Sequence, residues 1–200
     1  KMVERMEYDI FVSYRRVDSQ GRVEGRDIAR LLTKELKLYG YNVFFDYSEI
    51  KDNDFEDAIL PAIRNCKIFI LLLTANALVR CIDECDWVRR EIMEAYNSGR
   101  KIITVNPGYE FKEFPINLPK SLIFLKTIQM SVIDVESNFE VTVKKMVQDR
   151  IQSVVPDSRI IDIKSDNSEL VRFELSGQMF EIPDEFFNTE VYKAIKRSYE

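Results

Sequence analysis

The stretch Lys67-Ile68-Phe69-Ile70-Leu71-Leu72-Leu73-Thr74 contains the longest apolar run of the chain, Ile68 to Leu73. Its residues do not alternate between apolar and polar, so neither face of the segment is suited to contact with water. Such a run is typical of a central strand in a parallel sheet that is covered by helices on both faces. We therefore expect residues 67–74 to form the central strand of an α/β core.

Strand and helix patterns alternate on the N-terminal side of this stretch. Tyr8 to Tyr14 is a β-branched and aromatic run of strand length, and Tyr41 to Phe45 is a shorter one. Leucines at helical spacing between them predict a helix that ends at Gly40. A second helix is predicted over Phe55 to Cys66, and Pro61 is expected to kink it because proline lacks a backbone donor.

The alternation continues on the C-terminal side. Helical spacing of apolar residues predicts a helix over Trp87 to Ser98 and a closing amphipathic helix over Asn138 to Val154. Lys101 to Val105 is predicted as the fourth strand and Ser121 to Leu125 as the fifth. Five strands alternating with helices predict a flavodoxin-like parallel sheet in the order 2-1-3-4-5.

The chain is expected to contain one domain and a small extension. It has 200 residues, of which 46% are hydrophobic, enough for one well-cored domain but few for two. We assign residues 1–154 to the α/β domain and residues 155–200 to a C-terminal α+β extension, a hairpin followed by a helix. The extension carries no chemical motif, so its role is either packing or the binding of a partner.

Composition excludes several classes of catalytic site. The chain has no histidine, which excludes Ser-His-Asp and Cys-His nucleophile systems as well as H-E-x-x-H zinc sites. Its three cysteines include no C-x-x-C pair, so neither a disulfide framework nor a metal site is predicted. Any catalysis therefore depends on carboxylates, hydroxyls, thiols or cations.

Charge and hydropathy give expectations about partners and location. A net charge of -5 provides no general attraction to nucleic acid or to an anionic membrane. The longest apolar run is too short to span a bilayer, and Lys1 to Glu7 lacks the apolar core of a signal peptide. We expect a cytoplasmic protein that binds neither nucleic acid nor membrane.

Polar residues collect at one edge of the predicted sheet. Ligands of open α/β sheets bind beyond the carboxyl ends of the strands, and Arg15, Arg16 and Asp46 all lie at such ends. Trp87 and Glu91 are one helical turn apart on a helix that begins at the same edge. The chain has neither G-x-G-x-x-G nor G-x-x-x-x-G-K-[ST], so a Rossmann coenzyme site and a P-loop are not predicted.

Two separated segments resemble those of a known family. Tyr8 to Arg16, Y-D-I-F-V-S-Y-R-R, resembles the first signature box of TIR domains. Cys81 to Glu91, with the pattern C-x-x-x-C-x-W-x-x-x-E, follows it in the family's order. The resemblance covers residues 8–154. It is strongest to the NAD-cleaving TIR domains, which include the enzyme of axon degeneration in animals and antiviral enzymes of prokaryotes.

This resemblance implies an NAD+ glycohydrolase with Glu91 as its catalytic carboxylate. NAD+ would be the substrate, no cofactor would be needed, and the products would be nicotinamide with ADP-ribose or a cyclic isomer. The implied context is immune or antiphage signalling. The residues that the resemblance implies at the substrate are Tyr14, Arg15, Arg16, Asp46, Phe55, Trp87 and Phe111.

Other interpretations of the same residues stay open. Glu91 could belong to a solvated helix face, Phe55 could be a core residue, and Arg15 with Arg16 could be surface charges paired with an acidic loop. The main functional alternative is a non-catalytic TIR adaptor that acts by self-association. The loop Tyr47 to Asp54 resembles the segment through which TIR domains assemble, although Lys51 and Asn53 replace residues that are often glutamate and glycine.

Overall fold

The computed structural model describes residues 8–17, 25–45, 55–156, 170–175 and 178–183. Contacts between residues divide the chain into two compact units, Lys1–Pro156 and Asp157–Glu200. In the second unit, Leu170–Leu175 and Gln178–Pro183 pair as an antiparallel hairpin. The helix predicted to follow the hairpin lies outside the described residues.

A five-stranded parallel sheet forms the centre of the first unit, and its order is the predicted 2-1-3-4-5. The two central strands are buried along their whole length, as expected of a sheet covered on both faces. The strands are β1 (Ile10–Tyr14), β2 (Val43–Phe44), β3 (Ile68–Leu72), β4 (Lys101–Pro107) and β5 (Ser131–Ile133).

Four α-helices and two 3-10 segments accompany this sheet in the described part of the first unit. Pro61 lies inside the second helix, which continues beyond it to Asn65. The fourth helix runs on as a single π-helical turn over Val147–Ile151. The α-helices are α1 (Arg26–Leu38), α2 (Phe55–Asn65), α3 (Trp87–Asn97) and α4 (Phe139–Met146), and the 3-10 segments are Val79–Ile82 and Lys120–Thr127.

The predicted fifth strand at Ser121 to Leu125 is wrong, because this segment is the 3-10 helix Lys120–Thr127. A 3-10 helix repeats every three residues, and Leu122 and Leu125, three residues apart, are both fully buried. The true edge strand is β5, which pairs with residues 105–107 of β4. A strand of three residues is too short to produce a recognisable alternation in the sequence.

The carboxyl edge of the sheet brings β1 close to the beginning of α1. Gly25 caps α1 with a φ of 75°, a backbone conformation that other residues rarely adopt. A Cβ at this position would lie 3.3 Å from the Arg15 carbonyl oxygen and 3.3 Å from Thr74 Cγ2. Glycine therefore allows α1 to begin directly beside the ends of β1 and β3.

No helix in the described segments combines the length and the apolar character needed to cross a bilayer.

The central strand provides a test of the core. Ile70 is fully buried in β3, so Ile70→Ala should lower the free energy of unfolding by about 2–5 kcal/mol through lost burial and a residual cavity. Ile116 is fully exposed and gives the matched control, with an expected change below about 0.5 kcal/mol for Ile116→Ala. Urea unfolding followed by Trp87 fluorescence measures both, and equal losses would contradict the assigned core.

Candidate active site

A cavity of about 390 Å³ opens at the carboxyl edge of the sheet. This volume lies within the range of about 300–1,000 Å³ that is typical of small-molecule sites. Its walls come from the end of β1, the Val79–Ile82 turn, the loop after that turn and the beginning of α3. The lining residues are Tyr14, Arg15, Arg16, Val17, Arg80, Asp83, Cys85, Asp86, Trp87, Val88 and Glu91.

Glu91 is a buried carboxylate, with only 2% of its surface exposed. α3 packs Val88, Ile92 and Ala95 into the core, and this orientation carries Glu91 inward with them. The interpretation of Glu91 as part of a solvated face is therefore wrong. Ser13 Oγ on β1 donates a hydrogen bond of 2.5 Å to Glu91 Oε2.

Arg15 and Asp86 form a bidentate ion pair in the wall of the cavity. Arg15 Nη1 donates to Asp86 Oδ2 at 2.6 Å, and Arg15 Nη2 donates to Asp86 Oδ1 at 2.9 Å. The side chains of both residues are almost fully buried, at 5% and 2% exposed. Arg15 Nε and Nη2 also donate to the Ala77 carbonyl, at 3.0 and 2.8 Å.

The charges of this pair reinforce each other. Burial by itself raises the pKa of Asp86, but the hydrogen bond and charge of Arg15 outweigh it, so the pKa lies below its ordinary value. Burial by itself lowers the pKa of Arg15, and Asp86 likewise outweighs it, so that pKa is raised. Both groups are therefore held in their charged forms.

The ion pair changes the interpretation of Arg15. The resemblance implied that Arg15 reaches a substrate phosphate or ribose, and the alternative was a surface charge. The surface-charge alternative is wrong, because the guanidinium is buried against Asp86 and Ala77 and joins β1 to the segment that precedes α3. The role of Arg15 at the substrate stays a prediction. Asp86 is also the N-cap of α3 and accepts a hydrogen bond from the Arg89 backbone N–H.

Cys81 completes this buried cluster as a protonated thiol. Burial, together with a smaller effect of the Asp86 carboxylate, raises the pKa of Cys81 to about 12. Its Sγ lies 3.4 Å from Asp86 Oδ1, to which it donates, and 3.5 Å from Arg15 Nη2. All three cysteines are free thiols, and Cys85 is exposed at the cavity.

The cavity keeps two arginines that are accessible to solvent. Arg16 is exposed after β1, and the side chain of Arg80 is 54% exposed in the Val79–Ile82 turn. Arg80 Nε lies 3.8 Å from Asp86 Oδ2, a longer separation than the contacts that Arg15 makes with the same carboxylate. Arg15 also lines the cavity, but its side chain is much less exposed than those of Arg16 and Arg80.

Aromatic side chains form part of the cavity wall. Trp87 lines the cavity, and the Arg90 guanidinium lies 4.3 Å from the centre of its ring. Tyr14 also lines the cavity and stacks on Phe45, with ring centres 5.6 Å apart. This arrangement presents flat apolar surfaces beside the buried carboxylate.

Among the remaining predicted site residues, Phe111 is described and does not line this cavity. Phe111 is buried, packs edge-on against Phe114 and exchanges two hydrogen bonds with the Asn106 side chain. Phe55 is the first residue of α2. Asp46 and the loop 47–54 lie outside the described residues. The substrate roles of Phe111, Phe55 and Asp46 stay predictions.

Sequence reasoning missed Ser13, Asp86 and Arg80. The signal for Asp86 was present, since an aspartate directly before an apolar helical pattern is a common N-cap. Ser13 directly follows the apolar run Ile10 to Val12, which is a weak signal. Arg80 directly precedes Cys81 but has no pattern of its own.

No group of three or more potential metal ligands occurs among the residues that the structure describes.

Fold and cavity together define a flavodoxin-like α/β domain with a carboxylate buried at the carboxyl edge of its sheet. The model of the TIR domain family matches residues 10–147, and the chain belongs to this family. The structure is similar to that of the TIR domain of the Toll-related receptor TRR-2 from Hydra magnipapillata. That likeness has a TM-score of 0.50 at 17% identity, over 71% of this chain and 97% of that one, and it supports the fold.

Two curated relatives have higher identity over part of the chain. The chain is 33% identical over 117 residues to the NAD(+) hydrolase SARM1 of Danio rerio, a match that covers 57% of this chain and 15% of that protein. It is 43% identical over 100 residues to the NAD(+) hydrolase sarm1 of Drosophila melanogaster, covering 48% of this chain and 7% of that protein. The chain thus matches a small part of each relative's length.

Breaking the ion pair in the wall of the cavity should destabilise the protein most at neutral pH. Asp86→Asn leaves Arg15 buried without its anion and should lower the free energy of unfolding by about 3–5 kcal/mol at pH 7. Because the pKa of Asp86 is lowered by folding, its contribution is complete above the unfolded pKa of about 3.9 and is lost as the pH falls through the folded value. The difference between wild type and variant should therefore shrink below about pH 4.

Urea unfolding of both proteins between pH 3 and pH 7 measures this effect. Glu84→Gln is the control, because Glu84 pairs with Arg89 while its own side chain is 84% exposed. It should change stability by less than about 1 kcal/mol at any pH. A loss for Asp86→Asn that does not vary with pH would contradict the account.

Proposed function

We propose that this chain is the catalytic TIR domain of an NAD+ glycohydrolase that breaks the bond between nicotinamide and ribose. The observation that carries the proposal is the buried Glu91 carboxylate at the wall of a cavity that also presents Trp87. The two relatives named as NAD(+) hydrolases support it.

The reaction explains why a single carboxylate without histidine is sufficient. When the C1′–N bond of NAD+ breaks, its electron pair returns to the pyridinium nitrogen, and nicotinamide leaves as a neutral base. No general acid is needed, in contrast to the two carboxylates of ordinary glycosidases. Glu91 stabilises the positive charge that develops on the ribose, and its fixed negative charge is most effective in a site sheltered from water.

The cavity provides surfaces for the other parts of the substrate. Trp87 and Tyr14 supply aromatic surface for a flat base, and Arg16 and Arg80 supply accessible cations for the diphosphate. Arg15 acts indirectly, because its ion pair with Asp86 holds the beginning of α3 against β1.

Capture of the ribosyl cation determines the second product. Water adds at C1′ and releases a proton to give ADP-ribose, whereas a nucleophilic atom of the same molecule gives a cyclic isomer.

We propose a cytoplasmic role in immune or antiphage signalling, with self-association through TIR surfaces that include the loop 47–54. Ordered assembly is the expected trigger for activity, so concentrated protein is the proper test sample.

Glu91→Gln should abolish nicotinamide release while the protein stays folded. Loss of the negative charge next to the developing cation should lower kcat by about 10²–10³-fold or more. Glu94→Gln is the matched control on the same helix, since Glu94 pairs with Arg64 and does not line the cavity. Chromatography of the products over time, with protein concentrated enough to self-associate, measures the release and identifies the second product.

Equal rates for Glu91→Gln and wild type would overturn the role of Glu91. Absence of release from wild-type protein, despite self-association detected by light scattering, would favour the non-catalytic adaptor.

Arg80→Gln should raise the KM for NAD+ by about tenfold or more, because a charged hydrogen bond to the diphosphate is lost. The effect on kcat should be small, since the diphosphate is distant from the bond that breaks. Arg30→Gln is the control, an exposed arginine on α1. Added salt should reduce the difference between Arg80→Gln and wild type, and a difference that persists in high salt would argue against a phosphate contact.

A further inference from the structure

We propose that Ser13 is a positioning residue that fixes the orientation of the Glu91 carboxylate, an inference that rests on the proposed function. Ser13 Oγ donates to Glu91 Oε2 at 2.5 Å, and the two residues are 78 positions apart in the chain. Hydrogen bonds from a hydroxyl to a carboxylate are typically about 2.5–2.7 Å long and roughly twice as strong as neutral ones. The contact is thus at the strong end for its class.

Ser13 is well suited to hold another side chain. It lies in β1, where parallel pairing aligns it with Leu71 of the central strand β3, and none of its surface is exposed. A serine has one side-chain torsion, so a fixed backbone fixes its oxygen closely. Glutamate has three such torsions, and each one left free lowers the fraction of time spent in the productive orientation.

The chemistry of the contact also suits a charge-stabilising carboxylate. Ser13 is neutral, so its hydrogen bond orients Glu91 and leaves the negative charge of the carboxylate in place. A carboxylate has about four acceptor positions, and Ser13 uses one of them on Oε2. The neighbouring Arg15 forms a bidentate pair with Asp86, so its guanidinium is held by a carboxylate other than Glu91.

A purely structural role for Ser13 makes different predictions. A buried hydroxyl with a purely structural role would affect the free energy of unfolding, but its removal would leave kcat unchanged at pH values where Glu91 is fully ionised. Removal of a positioning hydroxyl should lower kcat there as well. A positioning hydroxyl donates to the ionised form of Glu91, so its removal should raise the pH at which the carboxylate is protonated. The other charged groups at this cavity are Arg15, Arg16, Arg80, Asp83 and Asp86, and they are unchanged by a substitution at Ser13.

The test compares Ser13→Ala, Ser13→Thr and wild type in nicotinamide release across a range of pH. Ser13→Ala should lower kcat by about 10–100-fold with little change in KM, and it should move the acidic limb of the kcat profile to higher pH. Ser13→Thr keeps the hydroxyl and should restore the position of that limb. Thr104→Val is the matched control, since it removes a fully buried hydroxyl from β4 of the same sheet.

A second measurement does not depend on turnover. Carboxyl ¹³C NMR of Glu91, assigned by its absence in Glu91→Gln, should show a higher pKa in Ser13→Ala than in wild type. If wild type releases nicotinamide and Ser13→Ala has the same kcat and the same pH profile, the positioning role of Ser13 is overturned and the proposed function is unaffected. If the NMR titration shifts but wild type releases no nicotinamide, the proposed function fails, and the positioning of a catalytic group fails with it.

Discussion

The ion pair between Arg15 and Asp86 is the constraint on which the site depends. Removing both charges from water is costly, and such a pair is tolerated only when the remaining donors find partners, as Arg15 does at the Ala77 carbonyl. Because Asp86 is also the N-cap of α3, the pair determines where that helix begins. The positions of Trp87 and Glu91 follow from this start, since they occupy the first and fifth residues of α3.

The architecture was predictable because strands that are buried on both faces consist mostly of consecutive apolar residues. The apolar runs at β1 and β3 identified the centre of the sheet, and alternation with helices implied the strand order that the structure has. The fifth strand was not predictable from the same signal. Ser131–Ile133 is too short to show the apolar pattern of a strand. The segment with the buried Leu122 and Leu125 resembled a strand in sequence, although it forms a 3-10 helix.

The candidate site was predictable only in part, because contacts across the fold are invisible in a single sequence. The spacing of Trp87 and Glu91 depends on one helix and could be read locally. The partner of Arg15 lies 71 residues away, so the sequence could not distinguish a phosphate-binding arginine from one buried against Asp86. Ser13 was missed for the same reason, since its importance comes from a residue on another element.

The long sequence separations within the site have a consequence for folding. The contacts that build it join residues 62, 71 and 78 positions apart, and the parallel sheet has no hairpin that could bring them together early. Contacts of this kind form slowly, because a large loop must close before any of them contributes. A nascent chain that has not yet emerged beyond α3 therefore holds no assembled site. Synthesis itself therefore delays assembly of the contacts around Glu91 until α3 has been made.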